Sequence, residues 1–147
     1  MLDKKFMTNK SIRVIIDTNV WIAFLIGKRL ANLKHYISDG SITIITTEQL
    51  LTEIKIVTNR EKIKKYFPQQ SVNELIVLLE TIAENVNIKP THFINRDLKD
   101  NFLLDLIDSS KADFLVTGDK DLLALNPFKT AEILTPAQFA IKIKDKF

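Results

Sequence analysis

The sequence contains no cysteine, which excludes disulfide bonds and thiolate metal sites. It has only three glycines, too few to assemble the glycine-rich loops that bind dinucleotides or nucleoside triphosphates. It also lacks a run of ~20 apolar residues, the length that a membrane helix needs. Residues 12–26 are apolar, but charged and polar residues interrupt them, unlike the core of a signal peptide. We therefore expect a cytoplasmic protein with no membrane partner.

The charges of the chain are nearly balanced, with 21 basic and 18 acidic residues and a net charge of +3. This balance allows a polyanionic partner but does not require one. Lys62, Lys64 and Lys65 form a denser basic run, and on charge alone a solvated surface is its better explanation. The 147 residues suit one core. We expect an N-terminal tail over residues 1–10 and a single domain over residues 11–147.

Segments rich in β-branched residues alternate with segments of helical periodicity along the chain. The predicted strands are residues 12–16, 42–46, 86–88, 113–117 and 132–134. The predicted helices are residues 19–26, 29–38, 48–58, 60–66, 71–84 and 101–110, with a last helix that begins at Thr135-Pro136. Strands that alternate with helices predict an α/β fold with a parallel sheet covered by helices.

Two acidic residues follow predicted strands. Asp17 comes directly after the first strand, and Asp119 follows the strand 113–117. In a parallel sheet these strand ends share one edge, which is where ligands bind in open α/β sheets. Glu53 flanks the buried stripe of the helix 48–58, and Asp100 lies at the entrance of the helix 101–110. We therefore expect four carboxylates to converge on this edge.

Each of these acids also has a purely structural explanation. Asp17 and Asp119 are typical turn residues, and Asp100 is a good helix N-cap. Glu53 is also explained as a surface acid that pairs with Lys55 or Arg60. These explanations are adequate one at a time, but they do not account for four acids on the same edge.

A divalent cation would relieve the repulsion among such carboxylates, which raise one another's pKa when they are unpaired. Oxygen ligands favour Mg²⁺ or Mn²⁺ over zinc, and His35 and His92 have no companion at zinc-ligand spacing. Magnesium held by carboxylates is typical of phosphoryl chemistry, in which the ion activates water and neutralises charge on the phosphate. One ion and two ions both remain open.

Four short motifs, in order, resemble those of the PIN-domain ribonucleases, in particular the PIN-family toxins of bacterial toxin–antitoxin systems. The resemblance runs from about Ile12 to about Phe139. The motifs are residues 16–20 around Asp17, 50–54 around Glu53, 97–101 around Asp100 and 113–122 around Asp119.

The resemblance implies a three-layer α/β/α sandwich with a central parallel sheet. It also implies Mg²⁺- or Mn²⁺-dependent endonucleolytic cleavage of RNA that leaves a 5′-phosphate and a 3′-hydroxyl. The implied metal ligands, which also position the water, are Asp17, Glu53, Asp100 and Asp119; Asn19 and Thr117 are implied as groups that support them. Asp121 is a further candidate, for which a solvated turn is the slightly better explanation. The implied partners are RNA, a separate antitoxin protein and a second copy of the chain in a homodimer.

Two alternatives remain open. The first is a catalytically silent PIN-like module that binds RNA or protein. The second is a phosphatase of the haloacid dehalogenase type, which would need a second Asp two residues after Asp17, where this chain has Asn19. Asn101 follows Asp100 where toxins often carry an acid or a small polar residue, and Asp105 borders the apolar face of its helix without an assigned role.

Overall fold

A five-stranded parallel sheet forms the centre of the fold, with the strand order β3-β2-β1-β4-β5. The computed structural model describes residues 11–27, 29–88 and 101–146. Its strands are β1 Ile12–Ile16, β2 Ile42–Thr46, β3 Glu84–Asn85, β4 Phe114–Val116 and β5 Glu132–Leu134. Its helices are α1 Thr18–Ile26, α2 Leu30–Ser38, α3 Glu48–Thr58, α4 Glu61–Lys64, α5 Gln69–Thr81, α6 Asn101–Ser110, α7 Lys120–Leu123 and α8 Pro136–Lys146.

The middle strand, β1, lies at a topological switch point of this sheet. The strands that follow β1 in sequence, β2 and β3, lie on one side of it in the sheet, and the later strands, β4 and β5, lie on its other side. Ile16 of β1 is level with Val116 of β4, so the two strands end side by side. Because parallel crossovers are right-handed, connections that leave the centre in opposite directions place their helices on opposite faces. The result is a three-layer α/β/α sandwich, as the resemblance implied.

Burial along β1 follows from this layering. The consecutive residues Val14, Ile15 and Ile16 are all fully buried, because helices cover both faces of the sheet. Trp21 of α1 is also fully buried and packs edge to face on Phe24, with ring centroids 6.0 Å apart. Trp21 is therefore part of the core.

Arg13 links β1 to two other parts of the sheet. Its guanidinium donates to both carboxylate oxygens of Glu84 in β3, at 3.0 and 2.6 Å. Its backbone amide donates a 2.9 Å hydrogen bond to Oδ2 of Asp113, the residue before β4. Its Nε donates to the carbonyl of Ser110. This residue thus fixes the positions of β3 and β4 relative to β1.

Several element boundaries differ from the sequence prediction. The third strand is Glu84–Asn85 and not 86–88, because those two residues pair with Ile45 and Thr46. The helix before it therefore ends at Thr81 instead of residue 84. The predicted helix 60–66 keeps only Glu61–Lys64, and α7 was not predicted, since four residues show no periodicity. Thr47 lies at the N-cap of α3, but its side chain makes no capping hydrogen bond.

Within the described ranges, no helix combines the length and the apolar character needed to cross a membrane.

Candidate functional site

Asp17 lies at the switch point, between the ends of β1 and β4. Its backbone amide donates to the carbonyl of Val116, at 3.0 Å, and its Oδ1 accepts a 2.7 Å hydrogen bond from the Thr18 amide. It is therefore both the first residue after β1 and the N-cap of α1. Only 7% of its surface is exposed, so two strands and a helix hold this carboxylate in place.

Thr117 supplies the second contact to Asp17. This fully buried residue follows β4, and its amide donates to the carbonyl of Leu134 in β5, at 2.9 Å. Its hydroxyl donates to Asp17 Oδ2 at 2.8 Å and accepts from the Asp119 amide at 3.1 Å. The hydroxyl thus connects the loop after β4 to the carboxylate after β1.

Asp119 is the N-cap of the short helix α7. Its Oδ1 accepts hydrogen bonds from the amides of Asp121 and Leu122, at 2.8 and 3.4 Å. Asp121 lies in the first turn of α7, where a negative charge interacts favourably with the helix dipole. Local capping therefore fixes the carboxylate of Asp119.

Burial dominates the electrostatics of Asp17 and raises the pKa of its carboxyl group, because the charged form loses water. The hydrogen bonds from Thr117 and Thr18 act in the opposite direction and stabilise the charged form. The negative charge of Asp119 makes a smaller contribution and raises the pKa of Asp17 further. A divalent cation bound by these carboxylates would offset the cost of burying the charge of Asp17 and would remove the repulsion between the two acids. Their hard oxygen donors therefore fit Mg²⁺ or Mn²⁺.

The other predicted site residues have different positions. Glu53 is half-buried on α3 and has no hydrogen bond or ion pair with the described residues; Lys55, its proposed surface partner, pairs instead with Glu80 at 3.5 Å. Asn19 is exposed in the first turn of α1. Asp100 lies outside the described residues.

The described residues therefore bring Asp17, Thr117 and Asp119 together, but they do not place Glu53 in the same group. Among them, no cluster of three or more acidic or histidine residues is compact enough to hold a metal ion.

Four buried polar residues have no role assigned from the sequence, although Asn101 and Asp105 were noted there. The hydroxyls of Thr18, the first residue of α1, and of Thr46, the last residue of β2, are buried and have no hydrogen-bond partner among the described residues. Asn101 and Asp105 lie one turn apart on α6 and are 4% and 3% exposed. The helical periodicity signalled Asp105, whereas nothing distinguishes the two threonines from ordinary core residues.

Comparisons with known proteins agree with this fold. The chain is 29% identical over 122 residues to the uncharacterized protein MJ1680 of Methanocaldococcus jannaschii, an alignment that covers 81% of this chain and 78% of the relative. Among solved structures it is similar in fold to VapBC2 from Rickettsia felis, determined bound to a DNA fragment from the promoter of the pair. That similarity has a TM-score of 0.52 at 16% identity and covers 83% of this chain and 98% of the solved chain.

The sequence pattern of the PIN domain matches residues 13–121, which include Asp17, Glu53, Thr117 and Asp119. Because this match covers well over half of the chain, the protein belongs to the PIN-domain family.

Proposed function

We propose that the protein is a metal-dependent endoribonuclease that hydrolyses phosphodiester bonds in RNA. The observation that carries this proposal is the pairing of Asp17 and Asp119 through Thr117 at the switch point of the sheet. Two interacting carboxylates held this firmly, one of them buried, are suited to a hard divalent cation. Membership of the PIN-domain family supports nuclease chemistry at this edge.

The proposed ligands of Mg²⁺ or Mn²⁺ are Asp17, Glu53, Asp100 and Asp119. When bound, the ion would lower the pKa of an attacking water and neutralise charge on the phosphate. Thr117 and the Thr18 amide hold the carboxylate of Asp17, and α7 holds that of Asp119. Because both carboxylates are oriented before binding, the protein does not have to reorganise them when the ion arrives. We assign Asn19 and Asp121 supporting roles in the first turns of α1 and α7.

We also propose that the protein is the toxin of a toxin–antitoxin pair, acts in the cytoplasm and forms a homodimer. The fold similarity to VapBC2, a toxin–antitoxin complex, supports a separate antitoxin as the partner. The inhibitor would then be a second protein chain. Co-expression with the protein encoded next to it, followed by co-purification, tests this part of the proposal.

The alternative function is a PIN-domain module that binds RNA or protein without cleaving. It is favoured by the fact that Glu53 does not join Asp17 and Asp119 in one compact group of the described residues. Incubation of the purified protein with cellular RNA in the presence of Mg²⁺, Mn²⁺ or EDTA distinguishes the two functions. Cleavage that EDTA stops supports the nuclease, whereas binding without cleavage under all three conditions supports the module.

A further inference from the structure

The segment Arg60–Tyr66, called the basic segment below, has an unusual concentration of charge. It contains four of the 21 basic residues of the chain and one of its 18 acidic residues. The rest of the chain therefore has 17 of each and is formally neutral. The whole net charge of +3 thus resides in these seven residues.

The basic segment has four cations, Arg60, Lys62, Lys64 and Lys65, and all four are exposed. None of them forms an ion pair with another residue that the structure describes. Other surface lysines do have acidic partners, such as Lys34 with Glu74 at 3.4 Å and Lys55 with Glu80 at 3.5 Å. Unpaired like charges this close together repel each other, so the basic segment gains no stability from them. They are available to a negatively charged ligand.

Two apolar side chains anchor the basic segment to the domain and turn its charges outward. Phe67 is buried, and Ile63, four residues earlier, is half-buried against the same core. Between them, Tyr66 remains 57% exposed. The ammonium group of Lys65 lies over the Tyr66 ring, 5.3 Å from its centroid. An open depression of the surface is lined by Arg60, Glu61, Lys62 and Ile63.

An exposed aromatic ring among unpaired cations fits a single-stranded nucleic acid. The cations bind phosphates, and the ring stacks on a base, which has a π-face whatever its identity. A folded acidic protein would also satisfy the charges, but only a nucleic acid has a planar base beside every negative charge.

We infer that the basic segment Arg60–Tyr66 is a binding surface for single-stranded RNA, in which the four cations contact phosphates and Tyr66 stacks on a base. This inference rests on the proposed ribonuclease function, which makes RNA the substrate. It adds the position at which a length of substrate strand is held, apart from the carboxylates that act on the bond.

The test compares two quadruple variants that lose the same charge. One is R60Q/K62Q/K64Q/K65Q, and the control is K34Q/K55Q/K111Q/K142Q, whose lysines all form exposed ion pairs. Binding of a fluorescein-labelled oligouridylate of about 20 nucleotides, long enough to span several phosphate contacts, is measured by anisotropy in EDTA at several salt concentrations. Circular dichroism establishes that both variants are folded.

The slope of log Kd against log salt should become shallower by about 0.7 for each phosphate that the protein no longer neutralises, and thus by up to about 2.8 in the basic-segment variant. The control should keep a slope close to that of the wild type. No measurable binding by the wild type at low salt, or equal slopes in the two variants, would overturn the inference.

Tyr66 provides a second, uncharged test. Tyr66→Ala should weaken binding about fivefold or more, whereas Tyr66→Phe, which keeps the aromatic face, should bind like the wild type. If oligoglutamate competes as well as the RNA and Tyr66→Ala has no effect, the surface binds acidic protein and the inference is wrong.

The binding assay in EDTA is independent of cleavage, so the two proposals can fail separately. If the variants show the expected slopes but no metal supports RNA cleavage, the nuclease proposal alone fails. If metal-dependent cleavage is observed but the basic-segment variant binds RNA like the control, this inference alone fails.

Discussion

The hydroxyl of Thr117 donates a 2.8 Å hydrogen bond to Asp17 Oδ2 and accepts a 3.1 Å hydrogen bond from the Asp119 amide. This one buried side chain therefore orients one carboxylate directly and positions the backbone of the other. Without the hydroxyl, Asp17 Oδ2 would lose its donor and the Asp119 amide would lose its acceptor. The hydrogen-bonded link between the two acids thus runs through a residue that carries no charge.

The first prediction concerns the proposed activity. Asp17→Asn should lower metal-dependent RNA cleavage by about a hundredfold or more, because the interaction with a cation is worth several kcal/mol and each ~1.4 kcal/mol is tenfold in rate. Asp39→Asn is the matched control, since Asp39 is an exposed turn acid whose carboxylate accepts from the Ser41 amide. Initial cleavage rates measure both. Full activity of Asp17→Asn would refute the proposed mechanism.

The second prediction concerns stability without metal. Burial raises the pKa of Asp17, so the folded state holds this proton more tightly than the unfolded state does. The ionised carboxylate therefore destabilises the fold increasingly as the pH rises from the ordinary pKa of 3.8 through the raised pKa. In EDTA, Asp17→Asn should be more stable than the wild type at about pH 7, and the difference should shrink as the pH falls through the raised pKa towards 3.8.

Urea unfolding followed by the fluorescence of Trp21, the one tryptophan of the chain, provides this measurement. A variant that is less stable than the wild type at neutral pH in EDTA would contradict the prediction. It would mean that the hydrogen bonds to Asp17 outweigh its loss of water.

The third prediction concerns Thr117. Thr117→Val should weaken Mn²⁺ binding about 10- to 100-fold, the usual cost of losing a group that orients a metal ligand. It should also lower the free energy of unfolding by about 1–3 kcal/mol, because buried polar groups lose a partner. Thr117→Ser keeps the hydroxyl and is expected to retain most of the affinity. Titration calorimetry distinguishes the variants, and equal affinities would show that Thr117 has no orienting role.

The fourth prediction concerns the effect of metal on stability. Mn²⁺ at about a hundredfold excess over its Kd should add about 2.7 kcal/mol to the free energy of unfolding, because it binds only the folded site. For a domain of this size the melting temperature should rise by roughly 5–10 °C. Asp17→Asn should abolish most of this shift. A wild-type protein whose melting temperature does not respond to millimolar Mn²⁺ would have no preformed metal site.

The fifth prediction concerns Arg13 and Glu84. The Arg13 guanidinium lowers the pKa of Glu84, so the pair stabilises the fold above pH 4.5 and this contribution is lost as the pH falls through the lowered value. Both side chains are partly exposed, which limits the contribution to about 1 kcal/mol or less. Glu84→Gln should cost more stability at neutral pH than Glu74→Gln, which removes a single 3.4 Å contact with Lys34. Equal costs in urea unfolding would mean that the link from β1 to β3 adds no more than the contact between Lys34 and Glu74.

Local patterns predicted most of the secondary structure. The helices Glu48–Thr58 and Asn101–Ser110 and the strands Ile12–Ile16 and Ile42–Thr46 have the predicted bounds, because their apolar periodicity and flanking residues are local signals. The position of the third strand was wrong. It depends on pairing with Ile45 and Thr46, which lie far earlier in the chain, and no local signal encodes that pairing.

The candidate site was predictable in part for the same reason. Asp17 and Asp119 stand out as acids directly after apolar strands, and a parallel sheet brings such positions to one edge. The role of Glu53 stays a prediction, and Asp100 lies outside the described residues. The burial of Asp105 depends on what covers its helix, so the sequence could place it only at the border of the apolar face.

The sequence by itself determined the α/β class, the order of the acidic motifs and the absence of thiol chemistry, since these depend on residue type and on short-range periodicity. The tertiary structure alone decided that β1 and β4 are neighbours, and therefore that Asp17 contacts a hydroxyl 100 residues away. Strand order follows from how the whole chain buries its apolar surface around β1. No stretch of sequence contains that information, because pairing between distant strands is a property of the complete core.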